Sequence, residues 1–413
     1  MADNSVIETQ SLRDSLYRPV FLKSWPEASL YELALWTNGM AFRNIDFTSI
    51  GRPVIKIAEI KNGISGQTKF TDAEYESRYF VTAGEMLFSW SGQPETSIDV
   101  FWWRGQDGWL NQHIFKVKPA ESLDPVFFFY MLRYLKPNFI RIARNKQTTG
   151  LGHVTIADLK RMTVGVPPLP EQRAIAAILG ALDDKIELNC QMNQTLEAMA
   201  QALFKSWFAD FEPFRDQDMQ DSPLGPIPRG WRVGTVGDLA DVTSGKRPLG
   251  RMTHRTEDYT VPLYGGAGPM AWVQEPLYYE PLLITGRVGT LGVVNRTTKP
   301  CWPSDNTLVV LVKFSAAYPF LCYSMKRFDF DSLNRGSTQP LVTQTDLSNV
   351  KLAVPPIEVL GDFSGVVYSI FQLQDANVEQ SHTLAAIRDT LLPKLLSGEI
   401  RVKDVEKFVE VNI

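Results

Sequence analysis

Apolar positions along the 413-residue chain follow two regimes in alternation. Short apolar runs around Val54–Ile57, Glu85–Trp90 and His113–Val117, and again around Leu282–Thr285 and Leu308–Val312, are broken by Gly and Pro and read as strands. From Glu171 to about Asp210 the period changes. There is no proline and one glycine, Gly180, while Ile175, Ile178, Leu182, Met192, Leu196, Met199 and Leu203 recur at heptad-like spacing. A helix of that span is about 58 Å long. Phe363, Val366, Ile370, Leu373, Leu384, Ile387 and Leu391 form a second stripe of the same length, with Pro393 and Gly398 marking its end. Two matched stripes predict mutual packing.

The alternation reflects an internal repeat. Arg161-Met-Thr-Val-Gly-Val-Pro167-Pro168 returns as Asn349-Val-Lys-Leu-Ala-Val-Pro355-Pro356, an offset of 188 positions. Without a gap, that offset also pairs Asp158-Leu159 with Asp346-Leu347, Asn189 with Asn377, Thr195-Leu196 with Thr383-Leu384, and Leu203 with Leu391. Nearer the start of each half, Trp25, Glu32-Leu33-Ala34, Thr37 and Gly39 match Trp231, Asp238-Leu239-Ala240, Thr243 and Gly245 at an offset of 206, so the first globular segment is 18 residues longer than the second. The expected fold is α+β, with each half a mixed-strand domain followed by Pro-Pro and a long helix. The expected boundaries are 1–166 for the first globular domain, 167–210 for its helix, 211–230 for a linker, 231–354 for the second domain, 355–398 for its helix and 399–413 for a tail. Pro223, Pro226 and Pro228 deny the linker a regular helix. On the heptad, Asn189 and Asn377 share a core position near the two midpoints. If the helices run antiparallel about a pseudo-two-fold axis these midpoints meet, and an asparagine pair there would fix the register.

Composition narrows the class. A chain of this length with 44% hydrophobic and 11% aromatic residues suits two folded domains. A net charge of −4 argues against non-specific coating of nucleic acid, which depends on a large positive field, and leaves room for local basic patches. The three cysteines, Cys190, Cys301 and Cys322, form no CxxC and leave one over in any disulfide scheme, which favours a reducing cytoplasm. Neither they nor the four histidines stand at metal-ligand spacing. No apolar run has signal-peptide or membrane-spanning length, so neither export nor a membrane partner is expected.

The motifs are more specific. Val166-Pro-Pro-Leu-Pro-Glu-Gln-Arg-Ala-Ile175 opens the first helix, Leu203-Phe-Lys-Ser-Trp-Phe208 closes it, Pro223-Leu-Gly-Pro-Ile-Pro-Arg-Gly-Trp231 starts the second half, and Leu391-Leu-Pro-Lys-Leu-Leu-Ser-Gly-Glu-Ile400 lies near the end. In this order, and duplicated at a constant offset, the set resembles the specificity subunits of Type I restriction-modification enzymes over nearly the whole chain. The resemblance implies two target-recognition domains separated by two long conserved helices packed as an antiparallel coiled coil. It also implies a sequence-specific DNA-binding subunit, itself non-catalytic, that reads an asymmetric bipartite target in double-stranded DNA. By the same resemblance two modification (methyltransferase) subunits dock on it and methylate one adenine in each half-site, and restriction (endonuclease and translocase) subunits join to cut unmodified DNA. S-adenosylmethionine, ATP and magnesium would then sit on those partners, with no cofactor in this chain. One departure is visible: the second half reads Pro355-Pro-Ile-Glu-Val-Leu360, without the Leu-Pro-Glu-Gln of the first, which puts the helix start there in doubt.

Base reading needs Arg or Lys for guanine and Asn or Gln for adenine, presented from loops. Candidates in the first domain are Arg141, Arg144, Asn145, Lys146, Gln147 and Thr148, ahead of Gly150; their counterparts in the second are Arg335, Ser337, Thr338 and Gln339. Lys246, Arg247, Arg251 and Arg287 are further candidates. For any one of these residues a solvated surface is the alternative reading. A helix-set spacer of about one duplex turn is expected between the half-sites, and a longer helix implies a longer spacer. No Asn/Asp-Pro-Pro-aromatic motif and no complete phosphate-binding loop occurs; Thr243-Ser-Gly-Lys246 lacks the upstream glycine and continues with Arg247. The aromatic group Phe204, Trp207, Phe208 and Phe211 reads as a partner-binding patch. It weighs against the runner-up, a free-standing bipartite DNA-binding regulator. A solitary nuclease is weaker still, since no carboxylates and lysine stand at metal-site spacing.

Overall fold

The computed structural model describes residues 16–22, 25–147, 150–336 and 338–412. Contacts divide the chain into two units: residues up to Leu188 together with those from Gln380 onward, and Asn189–Glu379. Both cuts fall inside long helices.

Each unit holds the same four-stranded antiparallel sheet. In the first unit the strand order is Ala34–Asn38, Ile114–Pro119, Met86–Ser89, Asp99–Trp102. In the second it is Ala240–Ser244, Thr307–Val312, Leu282–Gly286, Val294–Thr297. The central strands are apolar at successive positions because both faces are covered. Met86 and Phe88 join the large core with Phe127 and Phe139, while Leu87, between them, joins a smaller one with Ile55, Val81 and Leu110. Leu283 and Leu282 divide in the same way in the second unit. The smaller cores lie against a second layer, where Val54-Ile55 pairs in parallel with Trp109-Leu110, and Leu263-Tyr264 with Trp302-Pro303. A glycine ends the first sheet strand in both copies because the second layer comes so close. A Cβ on Gly39 would lie 2.1 Å from the Asn111 carbonyl oxygen, and one on Gly245 would lie 2.2 Å from that of Ser304.

Before each Pro-Pro stands a short helix with a complete capping box. Thr155 and Asp158 cap Ile156–Arg161, and Thr343 and Asp346 cap Gln344–Ser348. Each aspartate also takes a cation from a preceding loop: Lys146 Nζ lies 2.6 Å from both Asp158 oxygens, and Arg335 Nη2 lies 2.6 Å from Asp346 Oδ1. A short strand then pairs with the start of its own domain, Thr163–Gly165 with Glu27–Ser29 and Lys351–Val354 with Arg232–Thr235.

The long helices run Leu169–Phe208 and Ile357–Leu396, 40 residues each. They begin at equivalent residues despite the missing Leu-Pro-Glu-Gln, because the corner is held in two ways. In the first copy Gln172 is buried, donates to the Pro167 carbonyl at 2.9 Å and accepts from the Asp124 N–H at 2.9 Å. In the second, Leu360 takes the equivalent place, 1% exposed within the apolar core. The ring of Pro393 does not break the helix. It lies in the last turns, the helix continues to Leu396, and Gly398 closes it at φ 76°.

In the second unit the two helix segments are antiparallel: Asn189 contacts Asn377, Asn193 contacts Gln374 and Phe204 contacts Phe363. In the first unit Arg388 of one helix pairs with Asp183 of the other, which also accepts from the Tyr130 hydroxyl at 2.7 Å. The buried arc is rotated from the heptad expectation. Met199, Val366 and Leu373 are 50–55% exposed, while Ala200, Val367 and Phe371 are buried. The cause is a third packing partner, since Phe204 also meets Phe320 and Phe371 also meets Tyr318 and Tyr323, all from the domain's own helix Ala317–Met325. A helix buried on two sides needs a wider stripe than a two-stranded seam. The segment after the first helix is ordered by a short 3₁₀ turn, Glu212–Phe214, and a small strand pair, Met219–Gln220 with Ile227–Pro228.

Burial alone would raise the Asp158 carboxyl, but hydrogen bonds from Lys146, Thr155 and Tyr17 outweigh it and hold the group below the usual carboxylate range. Arg335 and Thr343 hold Asp346 low in the same way. Asp158→Ala and Asp346→Ala each remove a cap and an ion pair and should cost about 2 kcal/mol in urea unfolding. Both folded-state values are depressed, so this contribution is present above the unfolded carboxyl value of about 4 and is lost as pH falls through the lower folded values. The gap between wild type and variants should therefore narrow in acid.

Candidate nucleic-acid interface

The repeated frame places equivalent side chains at the same strand ends of each sheet. In the second unit, the strand Leu282–Gly286 delivers Arg287, whose N–H donates to the Asn306 carbonyl at 2.9 Å and whose carbonyl accepts from Val342 N–H at 2.9 Å. Its Nη1 lies 3.4 Å from Ser244 Oγ, which also accepts from Gln344 Nε2 at 2.8 Å. Arg287 Nε is buried and finds no acceptor among the described residues, which costs stability. Next to this cluster, Arg247 and Arg251 are exposed and line a cleft of about 710 Å³ with Gly266, Val288, Asp305 and Asn306. Lys246, on the same loop, is exposed too; its main chain is fixed by the Trp302 indole, which donates to its carbonyl at 2.6 Å.

The polar run of the first domain behaves differently. Arg141, Arg144 and Asn145 are exposed on the helix Lys136–Asn145, but Arg144 is paired with Glu95. Lys146 is spent on Asp158, and Gln147 donates to the Gly150 carbonyl at 2.6 Å. In the second domain Arg335 is spent on Asp346, while Thr338 and Gln339 are exposed. Thr148 and Ser337 lie outside the described residues. The two runs thus share a structural duty, in which one cation of each ties its loop to a capping aspartate.

Two other groups of expected residues have clear surroundings. Asn189 is 1% exposed and its amide donates to the Asn377 carbonyl at 3.3 Å, while the Asn377 amide donates to Asn193 Oδ1 at 2.9 Å. Asn193 was missed because the 188-residue offset gives it no asparagine counterpart. Phe204, Trp207, Phe208 and Phe211 do not form an exposed patch. Phe204 is 5% exposed, and the others pack on Phe214, Trp231, Phe320 and Phe363 within the same unit. The chain itself thus covers Phe204 and part of the surface of Trp207, Phe208 and Phe211.

The residues that sequence reasoning passed over are those around the first domain's equivalent of Arg287. Trp90 leaves the strand Met86–Ser89 and its indole donates to Asn38 Oδ1 at 2.9 Å; Asn38 and His113 beside it are exposed. The one sequence signal lay in the offset of 206, which aligns Thr37 and Gly39 with Thr243 and Gly245 and leaves Asn38 opposite Ser244. Among the described residues no group of three or more His, Cys, Asp or Glu could hold a metal ion, and no helix is long and apolar enough to cross a membrane.

Alanine replacement of Arg247 and Arg251 together should weaken binding to all duplexes alike and lower the slope of log affinity against log salt by about 0.9 for each phosphate no longer neutralised. Arg144→Ala should leave that slope unchanged, because Glu95 already neutralises the charge. Titration of labelled DNA at several salt concentrations reads both.

A family described as the Type I restriction modification DNA specificity domain matches residues 23–198 and 228–377. The Type I restriction enzyme MjaIX specificity subunit of Methanocaldococcus jannaschii is 30% identical over 272 residues, 60% of this chain and 62% of that protein. The match thus spans less than two thirds of that relative. The Type I restriction enzyme HindI specificity subunit of Haemophilus influenzae is 25% identical over 371 residues, 68% of this chain and 78% of its own length. Among solved structures, the S subunit of a Type I restriction-modification system from M. genitalium is similar with a TM-score of 0.57 at 18% identity, covering 91% of this chain and 97% of its own, a likeness of fold. The duplication read from the offsets and seen in the paired sheets is therefore a duplication of that domain, and the chain belongs to the Type I restriction-modification DNA specificity family.

Proposed function

We propose that this chain is the non-catalytic reader of a Type I restriction-modification complex, binding an asymmetric bipartite target in double-stranded DNA with one domain on each half-site. The observation that carries this reading is the repeated frame itself: one sheet order and one set of main-chain bonds, ending in Asn38, Trp90 and His113 in one copy and in Ser244, Arg287 and Asn306 in the other. Two equal frames with unequal tips suit two different short sequences. On this reading residues 1–166 and 231–354 are the recognition domains, and the long helices set the unread spacer. The hydrogen bonds of Asn189, Asn193, Gln374 and Asn377 would hold the helix register. Two modification subunits would supply S-adenosylmethionine chemistry on an adenine flipped from the stack, and restriction subunits would supply ATP-driven cleavage with magnesium, all in the cytoplasm.

The test is methylation-sensitive sequencing of a methylation-free host that expresses this chain with the modification subunit encoded beside it, against each alone. Adenine methylation at one asymmetric bipartite motif, only when both are present, is the expected result. A stable complex that methylates nothing would overturn the reading.

A further inference from the structure

We propose that the strand-exit position carries the base-reading side chains of both domains, and that in the first domain Asn38, held by Trp90 and flanked by His113, determines specificity. This rests on the DNA-reading role above and names the residues and bases through which it would act.

The main-chain frame at this position is the same in both copies. Trp90 N–H donates to the His113 carbonyl at 3.3 Å and its carbonyl accepts from Val154 at 2.8 Å, as Arg287 does with Asn306 and Val342. In each copy the side chain at this position reaches the last residue of the first strand, Trp90 to Asn38 at 2.9 Å and Arg287 to Ser244 at 3.4 Å. Threonine and glycine flank Asn38 and Ser244 alike, so the residue that differs stands between two that do not. Stability does not explain Asn38. It is exposed, and one hydrogen bond there contributes only about 1 kcal/mol. Trp90 is already fixed by its stack on Phe115, with centroids 5.6 Å apart and planes at 27°.

The chemistry also differs between the copies in a way a reader would use. The indole N–H occupies one lone pair of Asn38 Oδ1, which fixes the amide's orientation and leaves its NH₂ group and a second lone pair open to a base. That donor and acceptor pair matches N7 and the N6 amino group of adenine in the major groove. In the second copy Arg287 offers the donors that match guanine, with Gln344 on the same serine. The first half-site should therefore contain an adenine read by Asn38, and the second a guanine read by Arg287. Trp90 is a positioning residue, acting through Asn38.

The experiment uses the full chain with its modification subunits and a panel of duplexes that changes each base of the wild-type motif in turn. Asn38→Ala should lose about tenfold or more of its discrimination at one adenine of the first half-site and none in the second. Trp90→Phe keeps the stack on Phe115, loses the indole donor, and should relax the same position by less. Asn38→Ser, which places the second copy's residue in the first frame, guards against a variant that fails to fold and should also relax that adenine. Arg287→Lys should relax one guanine of the second half-site only. Unchanged discrimination throughout the first half-site, or equal weakening on every duplex as for a phosphate-binding residue, would overturn the proposal. Absence of any bipartite motif from the wild-type complex would instead defeat the functional reading on which it rests.

Discussion

The large cores are closed by the two long helices. In the first unit Ile175, Ala176 and Leu179 from the start of one helix and Leu391, Leu395 and Leu396 from the end of the other complete the core built on Phe127, Phe128 and Phe139. In the second, Ala200 and Phe204 from the end of the first helix and Leu360, Phe363 and Val367 from the start of the second do the same for Tyr318 and Phe320. Each domain thus buries its apolar face against halves of both helices, and a helix cannot shift without opening a core. Losing even one large buried side chain from such a core costs about 2–5 kcal/mol. This constraint explains why the boundary between the units falls near the helix midpoints.

The midpoints are where the apolar seam gives way to amides. Asn189, Asn193, Gln374 and Asn377 exchange hydrogen bonds with one another's side chains and main chains. An amide cluster contributes less stability than leucines would, yet it penalises any slip that leaves a buried amide without partners. The apolar halves pack against the domains, and the polar centre joins the two helices within the second unit through amides.

The fold was largely legible in the sequence because its signals are local or repeated. Five strands, the first helix and the duplication follow from spacing and from the Pro-Pro segments, whereas Ala34–Asn38, Asp99–Trp102, Ala240–Ser244 and Val294–Thr297 were not picked out, and the second helix start was in doubt. The buried arc of the helices was less legible: Met199, Val366 and Leu373 fit a two-stranded heptad, and only the additional packing against Phe320, Tyr318 and Tyr323 turns them outward. Among the expected DNA-binding residues, Arg247 and Arg251 line one cleft, whereas Arg144, Lys146 and Arg335 are engaged by carboxylates that no local pattern assigns to them. Trp90 and Asn38 were invisible for a similar reason. They are 52 residues apart and meet only because the fourth strand of the sheet lies between the first and second.

On the proposed reading, one frame used twice reads two sequences through different side chains at the ends of its strands. The most direct measurement is the methylation motif of a chain in which a second copy of residues 231–354 replaces residues 25–166, assembled with the same modification subunits. Methylation is expected at an inverted repeat of the second half-site, with the first half-site gone. A motif that still contains the first half-site, or no methylation from a stably assembled complex, would contradict it.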